Sequence, residues 1–260
     1  WTLQTLFLLK YQPSFPVGRT ERDDCLPYLW QKGTFGGSPY RTVCVKFRTG
    51  ELGMCPLGKV DFEDVKSRTA DQWEKQLSAI DVKGGKKDDR VIFYTSLYRT
   101  YLSPADVSSP DGAYLGTDGK VYISEDFRYY SNWSLWDTFR TKFPLLVLTE
   151  PAKMRDMATS LIHLYATGKK DWSTGFESTP TVRTEHAVIL LLDAYRKGIT
   201  NLDFRKGYAG MKQEMERLPM RSPDQKMESA YDLWAMAKIA EIIGEKADFR
   251  TIPATFGLSF

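Results

Sequence analysis

Histidine and cysteine are the scarce chemistry-bearing residues of this chain, with two and three copies. Two histidines are too few for a histidine-built metal site. Cys25, Cys44 and Cys55 all lie in the first quarter, form no CxxC pair and have no histidine nearby, which excludes a zinc set. They can form one disulfide beside a free thiol, or stand as three buried thiols. Charge of one sign is not in excess either. The 36 basic and 33 acidic residues leave +3, which gives no reason to expect a nucleic-acid partner or an anionic membrane. Long apolar runs are also missing. Leu6-Phe7-Leu8-Leu9 is far too short to span a bilayer, and no signal-peptide layout is visible. No phosphate loop, dinucleotide fingerprint or nucleophile elbow occurs, and Asp111, Asp118 and Asp126 do not have EF-hand spacing.

Aromatic residues are plentiful, at 13% of the chain. Most are needed for a core, but a surplus of Trp and Tyr is also what a carbohydrate cleft uses. The densest cluster is Asn132-Trp133-Ser134-Leu135-Trp136-Asp137-Thr138-Phe139-Arg140, just after Phe127, Tyr129 and Tyr130. An indole next to a carboxylate suits the apolar face and the vicinal hydroxyls of a sugar ring, because a carboxylate accepts two directional hydrogen bonds. The same residues also suit a structural role, with Asp137 capping a helix and Arg140 pairing with a carboxylate. Asn132-Trp133-Ser134 is formally a glycosylation sequon, read here as a chance match.

The pattern of the chain changes near residue 59. Residues 1–58 are broken by prolines and glycines, and Tyr40 to Phe47 alternates like a strand. From Val60 a helix runs to about Ile80, with acidic residues in its first turn and one apolar stripe of Phe62, Val65, Thr69, Trp73 and Leu77. A second helix spans about Asp89 to Leu102. Residues 103–133 form a long non-helical excursion with turn signals at Pro110-Asp111-Gly112 and Thr117-Asp118-Gly119-Lys120 and a short strand at Val121-Tyr122-Ile123. Excursions of that length are usually functional. Further helices are expected from Thr149-Glu150-Pro151 to Gly168, from a Thr184 cap to Gly198, from Asp203 to Arg217, and from Asp224 to Gly244. Ala187 to Leu192 is apolar all round, which only a helix buried on every side tolerates. The last helix carries two apolar stripes, one of them Met227, Tyr231 and Trp234, and so is expected to touch helices on two sides. His163, among Leu161, Ile162 and Leu164, reads as a satisfied core or surface histidine.

A second polar patch lies at the start of the apolar helix. Arg183, Glu185 and His186 sit where side chains can face a cleft, with Glu177 nearby. Their structural alternatives are a capping role for Glu185 and a hydrogen-bonded core role for His186.

Several segments resemble, in order, those of glycoside hydrolase family 92, the calcium-dependent α-mannosidases. Asn132 to Arg140 resembles the family's Asn-Phe-Ser-x-Trp-Asp-Thr-(Phe/Tyr)-Arg motif. Ile92 to Tyr98 is similar to its Phe-Tyr-x-x-Leu-Tyr helix, and Phe143-Pro144-Leu145-Leu146 to its His-Pro-Leu-Leu. His186-Ala187-Val188 with Asp193 to Ile199 resembles its His-Ala-Val and Asp-Ala-Tyr-x-Lys-Gly run, and Ala230 to Trp234 its Ala-Tyr-Asp-Asp-Trp. The likeness extends over roughly Asp61 to Arg250. In the patch before His186, only His186 keeps the family's register.

The resemblance implies a mainly α fold: a partial (α/α)6 toroid preceded by a short β-rich segment. Residues 1–58 would be a remnant of an N-terminal β-sandwich-like region, 59–88 a helical linker, and 89–260 the first half of the toroid. It implies hydrolysis of α-linked mannose, principally α-1,2, by an inverting mechanism in which calcium holds the sugar and an acid and a base stand about 6.5–9.5 Å apart. Asp137 would bind the terminal mannose with Trp136 beside it, and Arg183, Glu185 and His186 would line the same site. The family's acid, base and calcium motifs (Glu-Gly-Asn-(Ala/Ser)-Trp, Gly-Asn-Asp-Asp and Gly-Asn-Glu-Pro) do not occur here. No catalytic residue or calcium ligand is therefore assigned, and this chain alone is expected to be inactive. The family expectation for location is secreted or periplasmic. Partners would be mannose-containing glycans, with no membrane span. A half toroid would also leave the Val188–Leu192 helix uncovered and favour self-association. The alternatives are a non-catalytic carbohydrate-binding module and a toroid with lyase or cyclase chemistry.

Overall fold

The structure is a computed structural model that describes residues 62–109, 111–118, 120–168, 184–245 and 248. The three cysteines, the strand-like run at 40–47, Glu177 and Arg183 lie outside the described residues.

The described chain is mainly α-helical. An N-terminal hairpin joins α1 (Phe62–Leu77) to α2 (Lys87–Thr100). Tyr94 ties its turn, donating from Oη to the Ile80 carbonyl at 3.0 Å and accepting from the Val82 amide at 3.2 Å. Trp73 packs against Tyr98 with ring centroids 4.5 Å apart. The expected apolar stripe of α1 is only partly used. Trp73 and Leu77 are half-buried, but Phe62 and Val65 are exposed and no residue of α1 is fully buried.

The excursion after α2 is ordered rather than loose. β1 (Ala105–Asp106) pairs antiparallel with β4 (Tyr130–Ser131), and β2 (Ala113–Leu115) with β3 (Val121–Ile123). Gly112 permits the tight approach, with φ +82° and no room for a Cβ, which would lie 2.0 Å from the Ser124 carbonyl oxygen. Arg128 binds the ribbons together, donating to Asp106 at 2.8 Å and to the Ser108 and Ser109 carbonyls at 2.9 Å. Ser160 then fixes β4 to the helices by accepting from the Tyr130 amide at 2.9 Å.

Six helices follow among the described residues: α3 (Leu135–Thr138), α4 (Lys142–Thr149), α5 (Pro151–Ala166), α6 (Ala187–Arg196), α7 (Phe204–Met215) and α8 (Pro223–Ile243). Pro144 falls in the first turn of α4 and Pro151 at the start of α5, where the missing amide has no helical partner to lose. The main core is built on α4, α5, α6, α7 and α8. α6 is the central helix, with Val188 to Leu192 all buried and α4, α5 and α8 packed against it. The expectation that this helix would be uncovered is corrected: its neighbours are already present. The exposed apolar residues lie elsewhere, with Leu148 76%, Met227 75% and Ile92 65% exposed.

Two other expectations differ from the structure. α6 begins at Ala187 with His186 as its N-terminal boundary residue, not Thr184. α8 touches two helices as expected, α6 and α7, but does so through one broad face that includes Asp232, Leu233, Ala235, Met236, Ile239 and Ala240 rather than through two stripes. Of the expected stripe Met227, Tyr231 and Trp234, the first two are exposed and Trp234 is half-buried.

His163 joins the ribbons to α5. Its Nδ1 lies 2.6 Å from Tyr114 Oη, and its ring meets Phe127 with centroids 4.6 Å apart. Burial pushes the Tyr114 hydroxyl up to about 12 and the His163 imidazole down to about 4, the latter aided by the Lys206 cation. Both groups are therefore uncharged at neutral pH, joined by one hydrogen bond. The consequence has a definite sign. Between about pH 6.5 and 4 the unfolded histidine takes up a proton that the folded one refuses, so stability falls as pH falls. The shift corresponds to about 3 kcal/mol in full, and screening at a half-buried ring brings that to about 1–2 kcal/mol. Urea unfolding at pH 7 and 4.5 should show this loss in the wild type and a smaller one in His163→Gln. Equal losses in both proteins would contradict the assignment.

Candidate functional site

The aromatic cluster is sorted by a single helical turn. Within and around α3, Trp133, Leu135 and Phe139 are buried at 1%, 0% and 4% exposure. Trp136, Asp137 and Arg140 face outwards, Trp136 at 45%. Burial of the first three side chains holds the turn, and the other three are displayed by it. Asp137 lies inside α3 and caps nothing. It accepts from the Ser134 hydroxyl at 3.2 Å. Arg140 rests on Phe139, 4.9 Å from its centroid. An exposed indole beside an exposed carboxylate can stack on an apolar ring face and accept hydrogen bonds from hydroxyls.

Phe139 links this turn to the second polar patch. Its ring lies 4.6 Å from that of His186 and 6.4 Å from that of Tyr231, which stacks on Trp234 at 5.6 Å. His186 is 5% exposed and its Nδ1 lies 3.0 Å from Asp232 Oδ2, itself on the buried face of α8. His186 Nε2 and Asp232 Oδ1 are enclosed without a hydrogen-bond partner. Thus α3, the start of α6 and the middle of α8 converge. Glu185 is half-buried and accepts from the Thr184 amide at 3.1 Å. Arg183 lies outside the described residues.

Backbone strain marks the same place. Among the described residues, the non-glycine positions with positive φ are Asn132 (66°) and His186 (63°). One leads into α3 and the other into α6. Such conformations cost free energy and persist where the surroundings over-determine them.

Asp232 is the site residue that sequence reasoning missed. Its signal was readable: a carboxylate aligned with Ser229, Leu233 and Met236 on a buried helix face requires a partner, since aspartate is almost never fully buried unpaired. The partner itself, 46 residues away, was not.

No three His, Cys, Asp or Glu side chains among the described residues come together to hold a metal ion, so they do not fit a calcium site. A shallow depression of about 430 Å³ lined by Asp111, Glu125, Asp126 and Asp156 lies on the ribbons and includes none of Trp136, Asp137, Glu185, His186 and Asp232. Two of its carboxylates serve the fold: Asp111 accepts from the Ala113 amide and Asp156 from Arg155 and the Arg128 amide. No helix among the described residues is long and apolar enough to cross a membrane.

Comparison with known proteins agrees with this architecture. The profile of the glycosyl hydrolase family 92 catalytic domain matches residues 54–234. The GH92 family glycosyl hydrolase ccman5 is similar in structure, with TM-score 0.66 and 27% identity over 77% of this chain and 29% of that one. A family GH92 α-mannosidase from Bacteroides thetaiotaomicron is similar at TM-score 0.64 and 26% identity, over 76% of this chain and 30% of that one. The same enzyme is also matched in complex with mannoimidazole. Among curated proteins no sequence matches. This chain spans under a third of the length of those solved structures. The match over most of its length, on a shared helical fold, shows that the chain belongs to glycosyl hydrolase family 92.

Proposed function

We propose that this chain is part of an α-mannosidase whose Trp136 and Asp137 bind a terminal α-linked mannose. The observation that carries this reading is the outward display of that pair on a turn anchored by three buried apolar neighbours. Mannosidases among the similar structures support it. In the proposed arrangement, residues 1–58 belong to a β-sandwich-like region, 59–88 to a linker and 89–260 to half of an (α/α)6 toroid. Arg183, Glu185 and His186 belong to the same sugar site. The complete enzyme would act on mannose-containing glycans, principally at α-1,2 linkages, by an inverting, calcium-dependent reaction. The described residues do not fit a calcium site, so none of them is given a step in that chemistry. A chain without the acid and base motifs would bind sugar without turning it over. Self-association is part of the same proposal, through the exposed apolar residues of α2, α4 and α8.

The test is calorimetry of the purified chain with D-mannose, with and without calcium, beside Asp137→Ala. Hydrogen bonds to a charged group contribute about 1.5–3 kcal/mol, so the variant should bind at least roughly tenfold more weakly. Equal binding by both proteins would remove Asp137 from the site. Absence of binding in the wild type would defeat the pocket as proposed for this chain. The second reading is a non-catalytic carbohydrate-binding module, for which the outward display of Trp136 and Asp137 is itself sufficient. Calcium-independent binding would support it, and turnover of an α-mannoside by the isolated chain would end it.

A further inference from the structure

The ribbon of β2 and β3 has two unlike faces. Side chains alternate along a strand, and the two strands pair Leu115 with Val121 and Ala113 with Ile123. Tyr114 and Tyr122 lie on the inner face, stacked 5.7 Å apart, in a cluster with Phe127 and Tyr129. Leu115, Val121 and Ile123 lie on the outer face, exposed at 39%, 51% and 51%. They are direct and diagonal cross-strand neighbours, so they form one patch rather than scattered single residues.

The end of the ribbon at Ile123 is acidic. Asp111, Glu125 and Asp126 line the depression described above. Glu125 and Asp126 are exposed and have no ion-pair partner among the described residues. An occupant of this surface must therefore offer apolar side chains at strand spacing beside positive charge. The chain contains such a segment. From Cys25 to Gly50 there is no Asp or Glu, and Lys32, Arg41, Lys46 and Arg48 are basic. Within it Val43, Val45 and Phe47 recur at every second position. Two other occupants fit less well. A second copy would set the same carboxylates against themselves across a two-fold axis. An anionic membrane would be repelled by the acidic rim.

The tether is long enough. The 13 residues between Arg48 and Phe62 span roughly 45 Å when extended. α1 leads from Phe62 to Gln76, which bonds to Glu150, and Asp156 of α5 holds the Arg128 amide beside the depression. The two helical stretches on that route, along α1 and along α5, rise about 21 and about 9 Å.

We infer that residues 40–48 dock on the outer face of the β2–β3 ribbon, with Val43, Val45 and Phe47 against Leu115, Val121 and Ile123 and the basic side chains against Asp111, Glu125 and Asp126. The excursion that leads into α3 is then covered by the N-terminal part of the same chain. This contact does not depend on the sugar site.

Cys44, between Val43 and Val45, makes the contact measurable. Val121→Cys places a thiol in the patch, and trypsin cleavage at Arg41 and Lys46 separates Cys44 from Cys25 and Cys55. The reduced full chain, kept dilute, is treated with a short bismaleimide and mapped by mass spectrometry. The control is the same chain with Ile92→Cys, on the exposed side of α2, in place of Val121→Cys. Expected is an intrachain link from the new thiol to Cys44 in preference to Cys25 and Cys55, with a yield several-fold above the control. Adding Glu125→Lys and Asp126→Lys should lower that yield several-fold. All four positions are exposed, so the fold is not at stake. A yield no higher than the control means chance encounter and overturns the inference. A link undiminished by the two lysines overturns the charge pairing. Links between chains would make a second copy the occupant. A new thiol that reacts at once and links to nothing would leave the face bare, and either result sinks the docking of residues 40–48.

Discussion

Replacing Trp133 with alanine is expected to cost about 4 kcal/mol of folding stability, within the range for truncating a fully buried Trp. The indole is 1% exposed, lies in the main core and meets Phe143 with ring centroids 6.1 Å apart. It also precedes α3, a turn of four residues that cannot hold itself as an isolated helix. Two losses therefore coincide: transfer of the indole out of water, and the anchor of the turn that displays Trp136 and Asp137. Trp133→Phe keeps most of the buried apolar area and should cost clearly less. Urea unfolding of the three proteins measures the difference, and a Trp133→Ala loss below about 1 kcal/mol would show that the site collapses around the gap.

Gly210→Ala is the second large effect, because two opposing terms meet there. In an exposed helix interior this substitution stabilises by up to about 1 kcal/mol. Here Gly207 and Gly210 of α7 lie directly against α5. A Cβ on Gly210 would stand 2.3 Å from the Tyr165 carbonyl oxygen, and one on Gly207 would stand 2.8 Å from that of Ile162. The obstacle is backbone, which cannot swing aside as a side chain can, so the helices must separate. Overpacking costs about 1–3 kcal/mol and occasionally more, and separation of two helices belongs at the upper end. The net expectation is a loss of about 2 kcal/mol. Unfolding that leaves Gly210→Ala as stable as the wild type, or more so, would mean that α5 and α7 have slack.

The helices were legible because their signals are local. Pro151, Gly198 and Gly244 stand at the boundaries the structure gives to α5, α6 and α8, and the all-round apolar run of α6 marked it as central. What failed depended on distant partners. The pairing of Ala105 with Ser131 sets the ribbon register across 26 positions, and nothing near either residue specifies it. His186 in a left-handed conformation is not what a local reading expects, since that region favours Gly and Asn. Tertiary contacts to Phe139 and Asp232 hold it there, and Thr184 looked like the better cap from sequence alone. The candidate site was half legible for the same reason. Trp136, Asp137 and His186 stand out in the sequence, but the Phe139 link and the Asp232 partner exist only after α3, α6 and α8 have packed.

The weak attachment of α1 separates it energetically from the rest. With no fully buried residue, it is held among the described residues by contacts such as Trp73 on Tyr98 and by Gln76, which bonds to Glu150 and Lys153 at the start of α5. Its amides can exchange with solvent through a local opening that costs far less than melting the core around α6. The helix can therefore come off and re-dock as its own cooperative unit while the remaining helices stay folded.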